Sequence, residues 1–289
     1  MPCLCPPPRH FIRPNLRTFC LCLLLGVLWS QPTSAQVGSR KAREKTLPGL
    51  GLQALTVERP AFRQSCRQAE TAMFRGMLAP GDEERVRRYR EAESAARGAV
   101  GLAPDRPEGH YLLAVTLGLR IDFVGALQKV RTAQEIREVV TRLLELDPDH
   151  AGGHHLLGRL HAGVMRMQPL TRFVARRLTG SETLKQASWE RAERHLRRAE
   201  ELEPQVLVHH LELGILYLET GRPERALEEM NHVLARGAVT PVDSLFRLRA
   251  LEIRSDLLAG RSPSNPTSLI RGREALDARG SSPEGPSRF

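Results

Sequence analysis

The amino-acid sequence predicts an all-α protein in which helix pairs stack into a solenoid, and three observations support this fold class. Amphipathic helical periodicity runs through almost all of residues 61–260, and we find no convincing alternation of the kind typical of a β-strand. Aromatic residues make up only 4% of the chain, whereas large β-sandwiches and barrels favour them. A short motif, Leu-x-Pro, also recurs after successive amphipathic segments. Internal repetition of this kind is the signature of a repeat fold.

Three copies of the Leu-x-Pro motif, at residues 102–104, 146–148 and 202–204, are followed by the same pattern of residues. A histidine stands six residues after each proline, and a small residue stands four residues after each histidine. The three copies are Pro104, His110 and Ala114; Pro148, His154 and Gly158; and Pro204, His210 and Gly214. A small residue at a fixed place on successive helices predicts that the backbones approach closely there. We interpret the three histidines as large packing residues.

The last of these units carries the clearest motif. The motif has a large residue, Leu, Gly, Tyr, Gly, Ala and an aromatic residue at fixed positions. Those positions are filled here by His210, Leu213, Gly214, Tyr217, Gly221, Ala226 and Met230. This pattern resembles a tetratricopeptide repeat, with the first and last positions as departures. The resemblance implies a right-handed superhelix whose first helices line a concave groove. We expect about four helix pairs and a closing helix that begins at Thr240, because a repeat stack needs a capped end.

The third unit carries a long insertion, and its sequence resembles a more specific family. The segments are HHLLGR at 154–159, RRLTG at 176–180 and SWERAERHLRRAEELEP at 188–204. Together they resemble the helical repeat domain of the regulator of microtubule dynamics family and its bacterial relatives, over roughly residues 90–235. No functional residue is carried over from that family. Its microtubule role is not carried over either, because the start of the chain predicts export.

Residues 1–35 are predicted to be a cleaved secretory signal peptide. Three arginines without an acid precede the apolar run Phe19 to Trp29, which is shorter than the about 20 residues that span a membrane. Thr33 and Ala35 are placed like the small residues before a cleavage site. The alternatives are an uncleaved anchor or a misread start. Export predicts a periplasmic or extracellular protein, with a linker at 36–60, a repeat domain at 61–260 and a disordered tail at 261–289.

The composition restricts what the mature protein can be. With 41% apolar and 26% charged residues in 289, the chain is neither wholly disordered nor a polytopic membrane protein. Signal cleavage would leave Cys66 as the remaining cysteine, so no internal disulfide is expected. Phe62, Cys66, Ala69 and Met73 share one helical stripe, which favours a buried thiol over a reactive one.

Catalysis and metal binding find little support in the sequence. Phosphate-binding loops, GxSxG and HExxH are absent, and signal cleavage would leave no cysteine pair to bind a metal. Acidic residues lie at the spacing of helical ion pairs with arginine, such as Glu200 near Arg197. We therefore predict no catalytic residue, metal ligand or cofactor. The alternative is a metal-dependent hydrolase that uses His150, His154 and His161. Nucleic acid is excluded as a partner by the predicted export and by the lack of aromatic residues among the basic ones.

The predicted groove is the first candidate binding site. By repeat register it is lined by Tyr111, Val115, His155, Arg159, Leu211 and Ile215. Because most of these side chains are apolar, the groove suits a protein or peptide partner bound through an apolar or helical surface. The alternative is that the insertion folds back and fills the groove. The oligomeric state stays open.

An arginine patch in the insertion, residues 164–186, is the second candidate. It comprises Arg166, Arg172, Arg176 and Arg177, which could bind an acidic partner, a lipid headgroup or another polyanion. Such binding would be strongly sensitive to salt. The alternative is a solvated helix face without a ligand.

Overall fold

The computed structural model describes residues 59–263, except for the side chains of residues 178 and 179. The predicted signal peptide, nearly all of the predicted linker and nearly all of the predicted tail lie outside the described residues. Between residues 59 and 263 the chain forms eleven α-helices and one 3-10 turn, and it contains no strand there.

The helices form four pairs and a closing helix, which confirms the predicted all-α solenoid. The first two pairs are α1 (Pro60–Met77) with α2 (Asp82–Leu102), and α3 (Pro107–Arg120) with α4 (Ala126–Leu146), where a 3-10 turn at Ile121–Phe123 follows α3. The third pair is α5 (Ala151–Met165) with α8 (Trp189–Leu202), and the insertion between them forms α6 (Pro169–Thr179) and α7 (Glu182–Gln186). The fourth pair is α9 (Leu207–Glu219) with α10 (Pro223–Ala235), and α11 (Pro241–Leu258) closes the stack.

Within each pair the two helices pack against each other, and each pair packs against the next element of the stack. Proline in the first turn begins five of the described helices, where its missing N–H costs no hydrogen bond. Gly221 ends α9 with a φ of 73°, a conformation that favours glycine. The hydroxyl of Thr240 accepts a hydrogen bond from the backbone N–H of Asp243 at 3.2 Å, which caps α11 as the sequence predicts.

The small residues lie where the backbones of paired helices approach each other, as predicted. A Cβ atom at Gly158 would lie 2.6 Å from Cγ of Leu196 in the partner helix. At Gly214 the added atom would contact the end of the Met230 side chain and lie 3.0 Å from Cβ of Glu229 in the partner helix. Ala114, the equivalent residue in the second pair, is fully buried. These positions therefore set how closely each pair can pack.

The repeated histidines do more than the predicted packing, because they hydrogen-bond the preceding turn. In each case the ring Nε2 faces the carbonyl oxygen of the proline six residues earlier. Since a carbonyl only accepts, Nε2 carries the proton. The three bonds are His110 to Pro104 at 2.9 Å, His154 to Pro148 at 3.0 Å and His210 to Pro204 at 2.8 Å. The constant six-residue spacing follows from this bond.

The apolar stripe of α1 is buried, as predicted. Phe62, Cys66, Ala69 and Met73 all lie in the core formed with α2 and α3. Burial is the largest of the effects that raise the pKa of the Cys66 thiol, to about 12. The thiol is therefore protonated at neutral pH and unreactive.

In the part of the chain that the structure describes, the helices are all too short or too polar to cross a membrane.

Candidate functional site

The predicted groove residues are largely enclosed within the protein. His155, Leu211 and Ile215 are buried, and the last two are each only 1% exposed. Tyr111 and Val115 are half-buried. Arg159 is exposed, but its Nε lies 3.2 Å from Oε1 of Glu212. The expectation of an open groove along all six residues is therefore wrong.

Two terminal helices cover the apolar side of the fourth pair. Phe74 and Met77 of α1 pack against the cluster that contains Leu211 and Ile215, and Phe246 of α11 belongs to that same cluster. The first and last helices of the stack thus both reach this cluster and close it to solvent.

The insertion packs elsewhere and does not fill this space. Leu184 of α7 joins Val130 of α4 and Val164 of α5 in a small separate cluster. Ala175 of α6 packs against the same cluster. The alternative in which the insertion occupies the groove is therefore wrong as well.

The arginine patch is divided into paired and exposed members. Arg166 binds the Glu219 carboxylate with two hydrogen bonds, of 2.6 and 2.9 Å. Arg172 donates to the backbone carbonyl of Met165 at 3.3 Å. Arg176 and Arg177 are exposed. Two of the four predicted residues thus stabilise the fold, and two are open to a ligand.

Helix α6 also exposes an apolar stripe beside these arginines. Leu170 is 74% exposed and Phe173 is 60% exposed, and Val174 lies next to them. The other face of the helix is anchored through Ala175 and Arg172. Helix α6 is therefore an amphipathic helix whose apolar face is not covered by the described residues.

The proposed hydrolase histidines do not converge on one point. Nδ1 of His150 accepts a hydrogen bond from the backbone N–H of Gly153 at 3.2 Å and caps α5. Nδ1 of His154 lies 3.1 Å from Nδ1 of His195, and the ring of His161 stacks on that of His195. Burial is the largest effect that lowers the pKa of His161 and of His195, each to about 4. The rings of His161 and His195 are therefore neutral at pH 7. The ring of His150 instead packs against Tyr111, with the ring centres 4.9 Å apart.

A different cluster brings together possible metal ligands. Glu200 of α8, His210 of α9 and Glu229 of α10 place one ligand atom each within 4.8 Å of one another. Sequence reasoning missed the two glutamates, and it paired Glu200 with Arg197. In the structure Arg197 lies 3.2 Å from Glu193 and also interacts electrostatically with Glu200. Because the three residues come from separate helices, their spacing in the sequence carries no metal-binding signal.

The family of the protein is decided by a sequence profile. The profile described as regulator of microtubule dynamics protein 1-3 matches residues 43–257, which is most of the chain. The chain belongs to this family. The match extends beyond both ends of the region, roughly residues 90–235, that carries the family's motifs. It includes α1 and nearly all of α11. No curated protein matches the chain.

Three solved helical-repeat structures are similar to this regulator of microtubule dynamics family member over most of its length, at low sequence identity. TTC0263, a thermophilic TPR protein of Thermus thermophilus, is 22% identical over 72% of this chain and 98% of its own, with a TM-score of 0.44. The MamA protein is 14% identical over 78% of this chain and 98% of its own, with a TM-score of 0.36. The designed helical repeat protein DHR64 is 20% identical over 74% of this chain and 97% of its own, with a TM-score of 0.25.

Proposed function

We propose that this protein is an exported, non-catalytic scaffold that binds a partner protein through helix α6. The observation that supports this proposal is the exposed stripe of Leu170, Phe173 and Val174. Residues at i, i+3 and i+4 lie on one helix face, and a contiguous apolar face in water marks an interaction surface. The closed apolar side of the fourth pair leaves this stripe as the stronger candidate for partner binding.

The chemistry of α6 indicates the kind of partner. Its residues, 169–179, include three arginines and no acidic residue. A partner that presents an apolar groove bordered by carboxylates would bury the stripe and pair with Arg176 and Arg177. The family name refers to microtubule dynamics, but the proposed export would separate this chain from tubulin. The proposed partner is therefore a protein of the cell envelope or the extracellular space.

The partner can be sought with the tagged full chain in an envelope fraction, with crosslinking and with washes at low and high salt. The test variant is Leu170→Ala with Phe173→Ala, and the matched control is Leu251→Ala with Leu258→Ala, two exposed leucines of α11. We expect one partner that survives high salt, that the control retains and that the test variant loses. Equal capture by both variants would refute α6 as the binding surface.

Binding of α6 to an anionic lipid surface is a second candidate function. The observation that favours it is that the exposed apolar stripe lies beside arginines on a helix without an acid, a pattern typical of helices that lie in a membrane interface. On this hypothesis the stripe enters the headgroup region and Arg176 and Arg177 contact lipid phosphates.

Vesicle sedimentation separates this candidate from the first. The full chain should bind phosphatidylserine vesicles at low salt, and it should bind phosphatidylcholine vesicles weakly. Arg176→Gln with Arg177→Gln should abolish this binding, whereas Arg90→Gln with Arg131→Gln, which alters two exposed arginines elsewhere, should preserve it. Equal sedimentation with both lipids, or equal loss in both variants, would exclude a specific role for α6 at membranes.

A further inference from the structure

The junction between the third and fourth helix pairs contains a cluster of one histidine and two carboxylates. Nδ1 of His210 lies 2.9 Å from Oε2 of Glu229 and 3.4 Å from Oε1 of Glu200. His210 is only 3% exposed and Glu229 is 11% exposed, while Glu200 at 27% is open to solvent on one side. The cluster is thus enclosed by the protein, and Glu200 provides the route of entry.

The hydrogen bonds of the His210 ring determine which atom faces the carboxylates. Nε2 lies 2.8 Å from the carbonyl oxygen of Pro204 and 3.1 Å from Nη1 of Arg236. These contacts are incompatible for one atom, because a carbonyl only accepts and a guanidinium only donates. The contact with Pro204 is shorter and recurs in the equivalent histidines, so we assign the proton to Nε2. In the neutral ring Nδ1 then presents a lone pair.

A nitrogen lone pair and a carboxylate oxygen repel each other. Nδ1 of His210 therefore lies 2.9 Å from Oε2 of Glu229 only with a proton or a metal cation between them. Oε1 of Glu200 faces the same nitrogen at 3.4 Å, so two carboxylates converge on one ring atom. A proton on Nδ1 would satisfy Glu229 alone. A divalent cation would satisfy the histidine and both carboxylates at once.

The spacing of the three ligand atoms fits a small metal ion. In tetrahedral zinc sites with bonds of about 2.0–2.2 Å to nitrogen and oxygen, neighbouring ligand atoms lie about 3.3–3.6 Å apart. The distances of 2.9 and 3.4 Å from Nδ1 of His210 lie close to this range, and all three ligand atoms lie within 4.8 Å of one another. The ring is held by the Pro204 bond on one side and by stacking on His232 at 5.3 Å. Such support of a ligating histidine is typical of metal sites.

We propose that Glu200, His210 and Glu229 bind a divalent ion of the Zn²⁺ type, with solvent as the fourth ligand. Because the ligands belong to α8, α9 and α10, the ion joins the third and fourth helix pairs. Its role is structural: it stabilises the folded stack, since the unfolded chain holds no preformed site.

The test uses the full chain, stripped of metal with a chelator and titrated with ZnCl₂ by calorimetry. The test variants are Glu200→Gln and Glu229→Gln, and the matched controls are Glu201→Gln and Glu228→Gln, which alter exposed neighbours on the same helices. We expect the wild type and both controls to bind Zn²⁺ at this site. Each test variant should bind at least about 10-fold more weakly, and the double variant should lose one Zn²⁺ per chain.

Melting temperature gives a second readout that does not depend on calorimetry. Zn²⁺ should raise the melting temperature of the wild type and the controls, and it should leave that of the double test variant unchanged. Replacement of His210 itself would also remove the bond to Pro204, so His110→Asn, which removes the equivalent bond in another repeat, is its folding control.

Two results would overturn the proposal. Wild-type protein that binds no Zn²⁺ would mean that the cluster holds a proton only. Zn²⁺ binding that the double test variant retains in full would place the ion elsewhere, for example at the rings of His154, His161 and His195.

Discussion

The close packing of the third helix pair predicts a large effect from a single methyl group. In Gly158→Ala the added Cβ would lie 2.6 Å from Cγ of Leu196 and 3.1 Å from the backbone oxygen of Ala192. The oxygen belongs to a helix backbone and cannot rotate away, so α5 and α8 must separate. Gly163→Ala in the same helix is the matched control, because no atom lies within 4 Å of its added Cβ.

The expected magnitude follows from two opposing contributions. Overpacking costs about 2–3 kcal/mol where, as here, a helix backbone is the neighbour that must move. Replacing glycine by alanine inside a helix returns about 0.5–1 kcal/mol. Gly158→Ala should therefore lower the free energy of unfolding by about 1–2.5 kcal/mol, and Gly163→Ala should raise it by about 0.5–1 kcal/mol.

Urea unfolding followed by circular dichroism measures both changes, and melting temperatures should shift by about 2–4 °C per kcal/mol for a domain of this size. If Gly158→Ala is as stable as the wild type while Gly163→Ala is stabilised as expected, the close approach at Gly158 does not limit the packing of the pair.

Three further predictions concern partly or fully buried groups. Burial lowers the pKa of His161 and His195 to about 4 from the ordinary value of 6.5, so these rings are neutral in the folded protein and become protonated on unfolding. Their contribution to stability is complete above pH 6.5 and is lost as the pH falls toward 4. Urea unfolding at about pH 7 and at about pH 4.5 should show this loss of stability. The loss should be smaller in His195→Asn. Ile215→Ala should lower the free energy of unfolding by about 2–5 kcal/mol, because the side chain is 1% exposed, and a loss below about 1 kcal/mol would contradict its burial. Arg166→Ala removes both hydrogen bonds to a carboxylate and should lower the melting temperature through a loss of about 1.5–3 kcal/mol, whereas the exposed Arg177→Ala should change stability by less than about 0.5 kcal/mol.

The repeat architecture was accessible from the sequence because its signals are local. The Leu-x-Pro spacing, the small residues such as Gly158 and the cap at Thr240 each depend on neighbours within one or two helical turns. The role of the histidines was only partly predicted. The six-residue offset from proline was visible, but its cause, a hydrogen bond from Nε2 to the carbonyl of Pro148 or its equivalents, became clear only from the structure.

The candidate sites were harder to predict because they depend on how distant helices meet. Repeat register assigned Leu211 and Ile215 to an open groove, yet Phe74 and Met77 reach across from the first helix and cover their cluster. Arg166 was grouped with exposed arginines, but Glu219, 53 residues away, neutralises it. Neither partner leaves a mark in the local pattern.

The sequence by itself therefore determined the class of fold, the approximate extent of the repeats and the amphipathic character of the insertion. These properties arise from helical periodicity and from close packing between consecutive helices, both of which are encoded over short distances. Only the tertiary structure decided which surface is open and which charged groups are paired. It also decided that Glu200, His210 and Glu229 meet. Such properties depend on the angle and depth at which separate helices pack, and these follow from the sum of all the contacts in the stack.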